Sequence, residues 1–173
     1  VKKLVFDEKK YTMKELMAAL DANWEGYEEM HKDFLNAPKY GNNEDLPDNL
    51  ARDIYSYYAK CLNTIDHAYG GKVIPTAISI SAHQPGGLAV GALPDGRKAK
   101  EILADGSMSP MHGMDLNGPL AVLQSAMKID QDEYQATLLN MKFHPSALKT
   151  EQDLYKLAMM IKTYLTNGGK HMQ

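Results

Sequence analysis

The chain has 173 residues, 44% of them hydrophobic and 24% charged, with a formal net charge of −3. This is the composition of an ordinary globular protein, and the length suits one domain that buries ~70% of its unfolded surface. No basic patch interleaves with aromatics, so nucleic acid is not an implied partner, and no apolar run of about 18 residues offers a membrane span. Phe6, Asp7 and Glu8 follow Lys2 and Lys3 where a signal peptide would place an apolar core. The single Cys61 cannot form an internal disulfide, which suits a reducing, cytoplasmic setting. Val1 in place of Met leads one to expect processing or truncation at this end.

Thr12 and Glu15 have the spacing of a capping box. Leu16, Leu20, Trp24 and Tyr27 then recur at helical spacing, with Met13, Met17 and Met30 beside them, which predicts a helix to about Phe34. It should stop before Pro38, because the residue preceding proline avoids helical geometry. Residues 37–43 are a dense cluster of turn formers. A second helix is predicted from near Asp48, with Leu50, Ile54, Tyr57, Tyr58, Cys61, Leu62 and Ile65 on one broad apolar side and Gly70-Gly71 at its end. Residues 76–81, TAISIS, alternate apolar with small polar residues and predict a strand carrying Ile78 and Ile80 on one face.

Residues 91–119 follow, GALPDGRKAKEILADGSMSPMHGMDLNGP. Connections in compact domains usually run to ~4–6 residues, so a loop this long is functional or disordered. Leu93, Ile102, Leu103, Met108, Met111 and Met114 interrupt its polar residues and favour a fixed, irregular path through protein. Beyond it, residues 116–127 predict a short helix with Pro119 in its first turn. Residues 136–143 predict a second strand, and Thr150 opens a last helix through Tyr164 that Gly168-Gly169 stops. Residues 170–173 read as the start of a further strand that has no continuation here.

Reactive groups are sparse. No two of the six histidines have the spacing that puts both on one helix face, and there is no Cys pair for zinc. His112 with Asp115, and Asp105 with Ser107, lie close in the long loop. A metal or acid/base role is one reading of them; side chains bonding nearby backbone to hold an irregular path is the other. Cys61 falls mid-helix on the apolar side, a setting for a buried, inert thiol, not a thiolate. Pro85-Gly86-Gly87 follows a strand but forms no phosphate-binding fingerprint and precedes no helix signal. Asp95-Gly96-Arg97 reads as a turn with an exposed or paired Arg, and most of the eleven Met residues sit at helical core spacing. From the residues alone the expectation is a cytoplasmic α/β chain with an elaborate loop, and no reaction.

Four motifs occur in order: NAPKYGNNED at 36–45, GALPDGRKA…LADGSMSPMHGMDLNGP at 91–119, KFHPSAL at 142–148 and GGKHMQ at 168–173. Together they span nearly the whole chain. They resemble the C-terminal region of glycyl radical enzymes, the pyruvate formate-lyase superfamily, in a flavour closer to its glycerol/diol dehydratase and decarboxylase-like branches.

The resemblance implies an α/β fold, a helix-rich, incomplete C-terminal part of a ten-stranded α/β barrel wrapped in helices. Residues 1–90 would end the pyruvate formate-lyase-like barrel domain, and residues 91–173 would start the glycine-radical domain, truncated before the radical loop. It implies a glycyl radical installed by a radical-SAM activase, relayed to a cysteine thiyl that attacks the substrate. TAISIS becomes a barrel strand with Ile78 or Ile80 facing the substrate, an apolar wall that shields a radical from solvent. The parent would carry out anaerobic lyase chemistry: diol dehydration, decarboxylation or formate acetyltransferase-like C–C cleavage. Its partners would be the rest of the parent, the activase and a second copy in a homo-oligomer.

This chain departs from the family pattern in two ways that matter. No RVxGY-type loop for the radical glycine and no GCxE-type loop for the cysteine is present, and Cys61 stands in neither context. No catalytic residue, bound cofactor or metal is therefore expected among these residues, and the chain alone should be inactive. Leu93 replaces the usual Thr before the PDG turn, and Leu46-Pro47-Asp48 departs from the usual xVD while keeping the Asp. The alternative expectation is a stand-alone, non-catalytic partner that complements a split glycyl radical enzyme through an open strand edge; a degraded gene product without function is a third.

Overall fold

A computed structural model describes residues 1–173. A π-helical turn, Lys2–Asp7, precedes helices α1 (Met13–Asp21), α2 (Glu28–Asn36) and α3 (Asp45–Asn63). Strand β1 (Thr76–Ala77), α4 (His83–Ala89), α5 (Gly118–Met127), β2 (Ala136–Thr137) and α6 (Glu151–Thr166) complete the regular structure. Short 3₁₀ turns lie at Gln131–Glu133 and Pro145–Ala147. No helix is long and apolar enough to cross a membrane. The chain divides into two compact units, neither of them continuous in sequence: Val1–Lys39 with Ser81–Leu103, and Tyr40–Ile80 with Ala104–Gln173.

The first unit is all helix and loop. The capping box forms as its spacing predicts: Thr12 Oγ1 accepts from the Glu15 amide at 3.2 Å, and the Glu15 carboxylate accepts from the Thr12 amide at 2.7 Å. The single helix expected to Phe34 is instead two. Asn23 and Trp24 take left-handed φ of 52° and 67°, and Gly26 follows at 79°. Such a backbone is rare for a bulky side chain. Here it rolls Trp24 into the core, 2% exposed, with its ring centroid 4.9 Å from His31 and 5.6 Å from Phe34. Asn23 adds a second tie by accepting from the Ala99 amide at 2.7 Å. Leu4, Val5, Leu16, Ala19, Met30 and Phe34 complete this core.

The same unit holds the first half of the long loop. Pro85-Gly86-Gly87, which carries no helix signal in sequence, lies inside α4, where Pro85 sits in the first turn and lacks only a donor that would be unpaired anyway. Arg97 is neither exposed nor paired with a carboxylate: it is 2% exposed and donates to carbonyls. Its guanidinium reaches Gly87 O at 2.7 Å, Gly91 O at 2.8 Å and Glu101 O at 2.9 Å. One planar fork thus satisfies the end of α4 and both arms of the loop, a role that suits Arg and not Lys.

In the second unit β1 and β2 pair in parallel, Thr76 opposite Ala136 and Ala77 opposite Thr137. Leu139 bridges Met172 in parallel, with the Leu139 amide donating to His171 O at 3.0 Å and the Met141 amide to Gln173 O at 2.8 Å. The strand start expected at 170–173 is therefore present. The core is Met108, Val122, Leu123, Ala126, Ile129, Leu139 and Tyr164. At its centre buried Gln131 donates to Ala126 O at 3.1 Å and accepts from Thr137 Oγ1 at 2.6 Å and the Tyr164 hydroxyl at 3.0 Å.

Helix α3 corrects the sequence reading most. Its apolar side, with Leu50, Ile54, Tyr57, Tyr58 and Ile65 beyond its end, is exposed, Ile54 to 66% and Tyr57 to 71%. Cys61 on that side is exposed, so it is not a buried thiol. The inward stripe runs instead through the buried Asp48 and Ala59, with Ala51 and Tyr55 partly buried between them. The Met residues divide likewise: Met30 and Met108 are core, whereas Met13, Met17 and Met159 are exposed.

Candidate functional site

The second unit gathers the motif residues around the 104–117 half of the long loop. Gly106 lets this loop lie directly on residues 138–141, the extension of β2: a Cβ there would stand 2.5 Å from Ser109 Oγ and 2.8 Å from Leu138 O. The loop then bonds like a strand. The Met108 amide donates to Leu138 O at 2.8 Å, and the Asn140 amide donates to Ser109 Oγ at 3.1 Å. Ser107 Oγ accepts from the Leu138 amide at 3.0 Å and donates to Ala77 O.

Phenols hold the loop from the other side. Tyr55 donates to Ser107 O at 2.6 Å and Tyr40 to Met108 O at 3.1 Å, and Tyr134 donates to Tyr55 O at 2.7 Å. Burial pushes the Tyr40 phenol well above its ordinary value, raises Tyr55, and takes Tyr134 up to about 12. These hydroxyls are fixed donors, not acids at physiological pH.

A second lattice of bonds joins the NAPKYGNNED and DLNGP motifs. Asn42 donates to Met114 O at 2.6 Å, and its side-chain oxygen accepts from the Asn117 amide at 3.0 Å. The Asn43 amide donates to Ser125 Oγ at 2.9 Å, which donates to the fully buried Asp48 at 2.9 Å. Lys128 closes the group at 2.9 Å from Asp48 and 3.1 Å from Asp45. Burial works against the Lys128 charge, but the two carboxylates outweigh it and raise its pKa.

Between the loop, α5 and the β2 extension lies a cavity of ≈ 190 Å³ lined by Asp105, His112, Asp115, Asn140, Lys142 and Phe143, among others. It brings together Asp105, His112 and Asp115, which the sequence singles out, but no three His, Cys, Asp or Glu side chains converge to hold a metal ion. Asp105 pairs with Lys142 at 3.4 Å. Ser107 bonds backbone some thirty positions away, not the nearby backbone its sequence context suggests.

Ile78 and Ile80 part company. The regular strand stops at Ala77, Ile78 follows it at 36% exposure, and Ile80 lies in a turn with φ 49° at 74% exposure. The two side chains therefore do not share one strand face as the alternation predicts. Sequence reasoning missed Tyr40, Tyr55, Asn42, Asn117 and Asn140; their only signal was that most lie within the quoted motifs.

Two family descriptions match: "Pyruvate formate lyase-like" over residues 1–87 and "Glycine radical" over residues 104–173. All of the chain aligns with 22% of the indoleacetate decarboxylase of Tractidigestivibacter scatoligenes at 35% identity. All of it aligns too with 21% of the isethionate sulfite-lyase of Nitratidesulfovibrio vulgaris at 40% identity. The solved structure of the glycerol-bound, B12-independent glycerol dehydratase from Clostridium butyricum superposes at a TM-score of 0.93 and 41% identity, covering 100% of this chain and 22% of that one. The chain thus spans about a fifth of the length of these relatives, and its helix-rich fold is that of a part of their barrel. It belongs to the pyruvate formate lyase-like family of glycyl radical enzymes.

Proposed function

We propose that residues 1–173 are a segment of a glycyl radical enzyme that works on a small molecule in the anaerobic cytoplasm. Its reaction is a diol dehydration, a decarboxylation or a formate acetyltransferase-like C–C cleavage, with C–S cleavage added by the sulfite-lyase relative. The observation that carries this reading is the whole-chain likeness to a glycerol dehydratase, a decarboxylase and a sulfite-lyase at similar identity. Because the three differ in reaction while matching over the same stretch, the stretch carries what they share.

In this reading residues 1–90 end the pyruvate formate lyase-like domain and residues 91–173 start the glycine-radical domain. The glycyl radical, installed by a radical-SAM activase, supplies hydrogen-atom abstraction when the whole enzyme is assembled. This chain supplies support and a wall: the segment at Ile78 and Ile80 presents apolar side chains that keep water from the reacting centre. Residues 1–173 turn over nothing by themselves, since they contain no RVxGY loop and no cysteine in a GCxE setting. The partners are the rest of the enzyme, the activase and a second copy.

A second reading, a non-catalytic partner that completes a split enzyme, draws on the exposed apolar side of α3. One experiment separates the two. The gene product is isolated anaerobically from its native host, its intact mass is measured, and it is incubated with the activase and then with glycerol, isethionate or indoleacetate. A mass several times that of residues 1–173, with a glycyl EPR doublet, is the expected result. A glycyl radical formed on residues 1–173 alone would overturn the proposed division of labour, and a native mass equal to this chain would favour the partner.

A further inference from the structure

The parallel ladder between β1 and β2 ends at Ala77 and Thr137, yet the two segments do not separate there. The Ser107 hydroxyl takes the place of the next ladder bond. It donates to Ala77 O on one side and accepts from the Leu138 amide at 3.0 Å on the other. Two positions further on, Ser79 Oγ donates to Asp105 O at 3.0 Å, an oxygen that Asn140 Nδ2 also holds at 2.7 Å. The loop backbone is itself fixed, because Tyr55 donates to Ser107 O at 2.6 Å and the Met108 amide to Leu138 O at 2.8 Å. Ala77 and Ser79 are therefore tied to one short loop, and Ile78 lies between them. Ile78 is one residue from each tether, so fixing 77 and 79 restricts the direction its side chain takes. Ile80, by contrast, has left the strand, with a backbone φ of 49°.

We propose that Ser107 and Ser79 are positioning residues for Ile78: the Asp105–Ser107 loop, which lies in the glycine-radical match, sets the substrate-facing wall carried by the pyruvate formate lyase-like match. This rests on the reading that Ile78 faces the substrate. The loop thereby controls how much room the wall leaves, and the two hydroxyls act through Ile78 without touching the substrate.

The test uses the full-length enzyme, activated anaerobically, with whichever of glycerol, isethionate and indoleacetate it turns over. Ser107→Ala, Ser107→Thr, Ser79→Ala and Ile78→Ala are compared for KM, kcat, glycyl radical content by EPR, and amide hydrogen exchange over residues 77–79. Ser107→Ala is expected to raise KM about five-fold or more with kcat changed less than about two-fold, the signature of altered ground-state fit. Radical content should stay unchanged while exchange at Ile78 and Ser79 accelerates. Ser107→Thr retains the hydroxyl and should return KM to within about two-fold of the parent. If Ile78→Ala shifts KM while Ser107→Ala and Ser79→Ala leave both KM and exchange at the parent values, the positioning role is wrong and the substrate-facing reading stands. If Ile78→Ala leaves KM unmoved although Ser107→Ala frees the strand, the substrate-facing reading fails and takes the positioning role with it.

Discussion

At the scale of single residues, Arg97 and Gly169 show how little surface a structural role needs. The Arg97 guanidinium pairs with no carboxylate and is shut off from solvent, donating only to carbonyl oxygens of the 87–101 turn. Arg97→Ala removes the donors and leaves those acceptors buried, so a loss on the order of 3 kcal/mol is expected in denaturant unfolding. Arg97→Lys keeps the charge but not the fork and should recover only part of it. Gly169 is the other case. Its amide donates to Tyr164 O at 3.0 Å, and a Cβ would stand 2.4 Å from the Tyr164 ring, which is itself completely buried. Gly169→Ala is therefore expected to cost about 1–3 kcal/mol by overpacking, read as a lower melting temperature. A parent-like melting temperature would mean that the ring can move aside.

At the scale of elements, local rules held where the chain faces water and failed where it is packed. The capping box expected at Thr12 with Glu15 forms, and Thr150, expected to open α6, forms a second with Asp153. Thr150→Ala should destabilise by about 1 kcal/mol, with the loss seen as faster amide exchange in the first turn of α6. The carboxyls of Glu15 and Asp153 are held below their ordinary values by those same cap bonds, so the caps weaken as pH falls through the lowered carboxyl pKa. Helix α1, by contrast, ends early because a buried Trp24 outweighs helical propensity, and α3 buries Asp48 and Ala59 while presenting Ile54 and Tyr57 outward. Periodicity records which residues share a face. It does not record which face the rest of the protein covers.

At the scale of the whole molecule, buried phenols tie the loop, α3 and α6 to one pH dependence. Tyr40, Tyr55, Tyr134 and Tyr164 all have pKa values raised, chiefly by burial. In the unfolded chain each ionises near 10.0, whereas in the folded chain each stays protonated to higher pH. Their contribution is fully present below pH 10 and is lost as pH rises toward about 12, where Tyr134 titrates. Lys128, raised by its two carboxylates against the effect of burial, loses its contribution in the same direction. Alkaline unfolding is therefore expected to be cooperative, with ionisation of Tyr40, Tyr55, Tyr134 and Tyr164 and loss of helix signal rising together. If Tyr40, Tyr55, Tyr134 and Tyr164 ionise near pH 10 while the helices stay intact, the burial described here is contradicted.

Although the stop expected at Gly70-Gly71 fails, with α3 ending at Asn63, the sequence by itself determined the family, through four ordered motifs, together with the caps, the glycine stop of α6, the start of the 170–173 strand and the irregular course of residues 91–117. Each of these depends on residues near one another in the chain or on a pattern read along it. Only the tertiary structure decided that Arg97 is a buried clamp, that Cys61 is exposed, and that Ile78 and Ile80 leave the strand on different terms. It alone showed Ser107 standing in for a ladder bond between segments thirty residues away on either side. A hydroxyl or guanidinium satisfies whichever carbonyl the fold brings to it, and no local spacing encodes that partner.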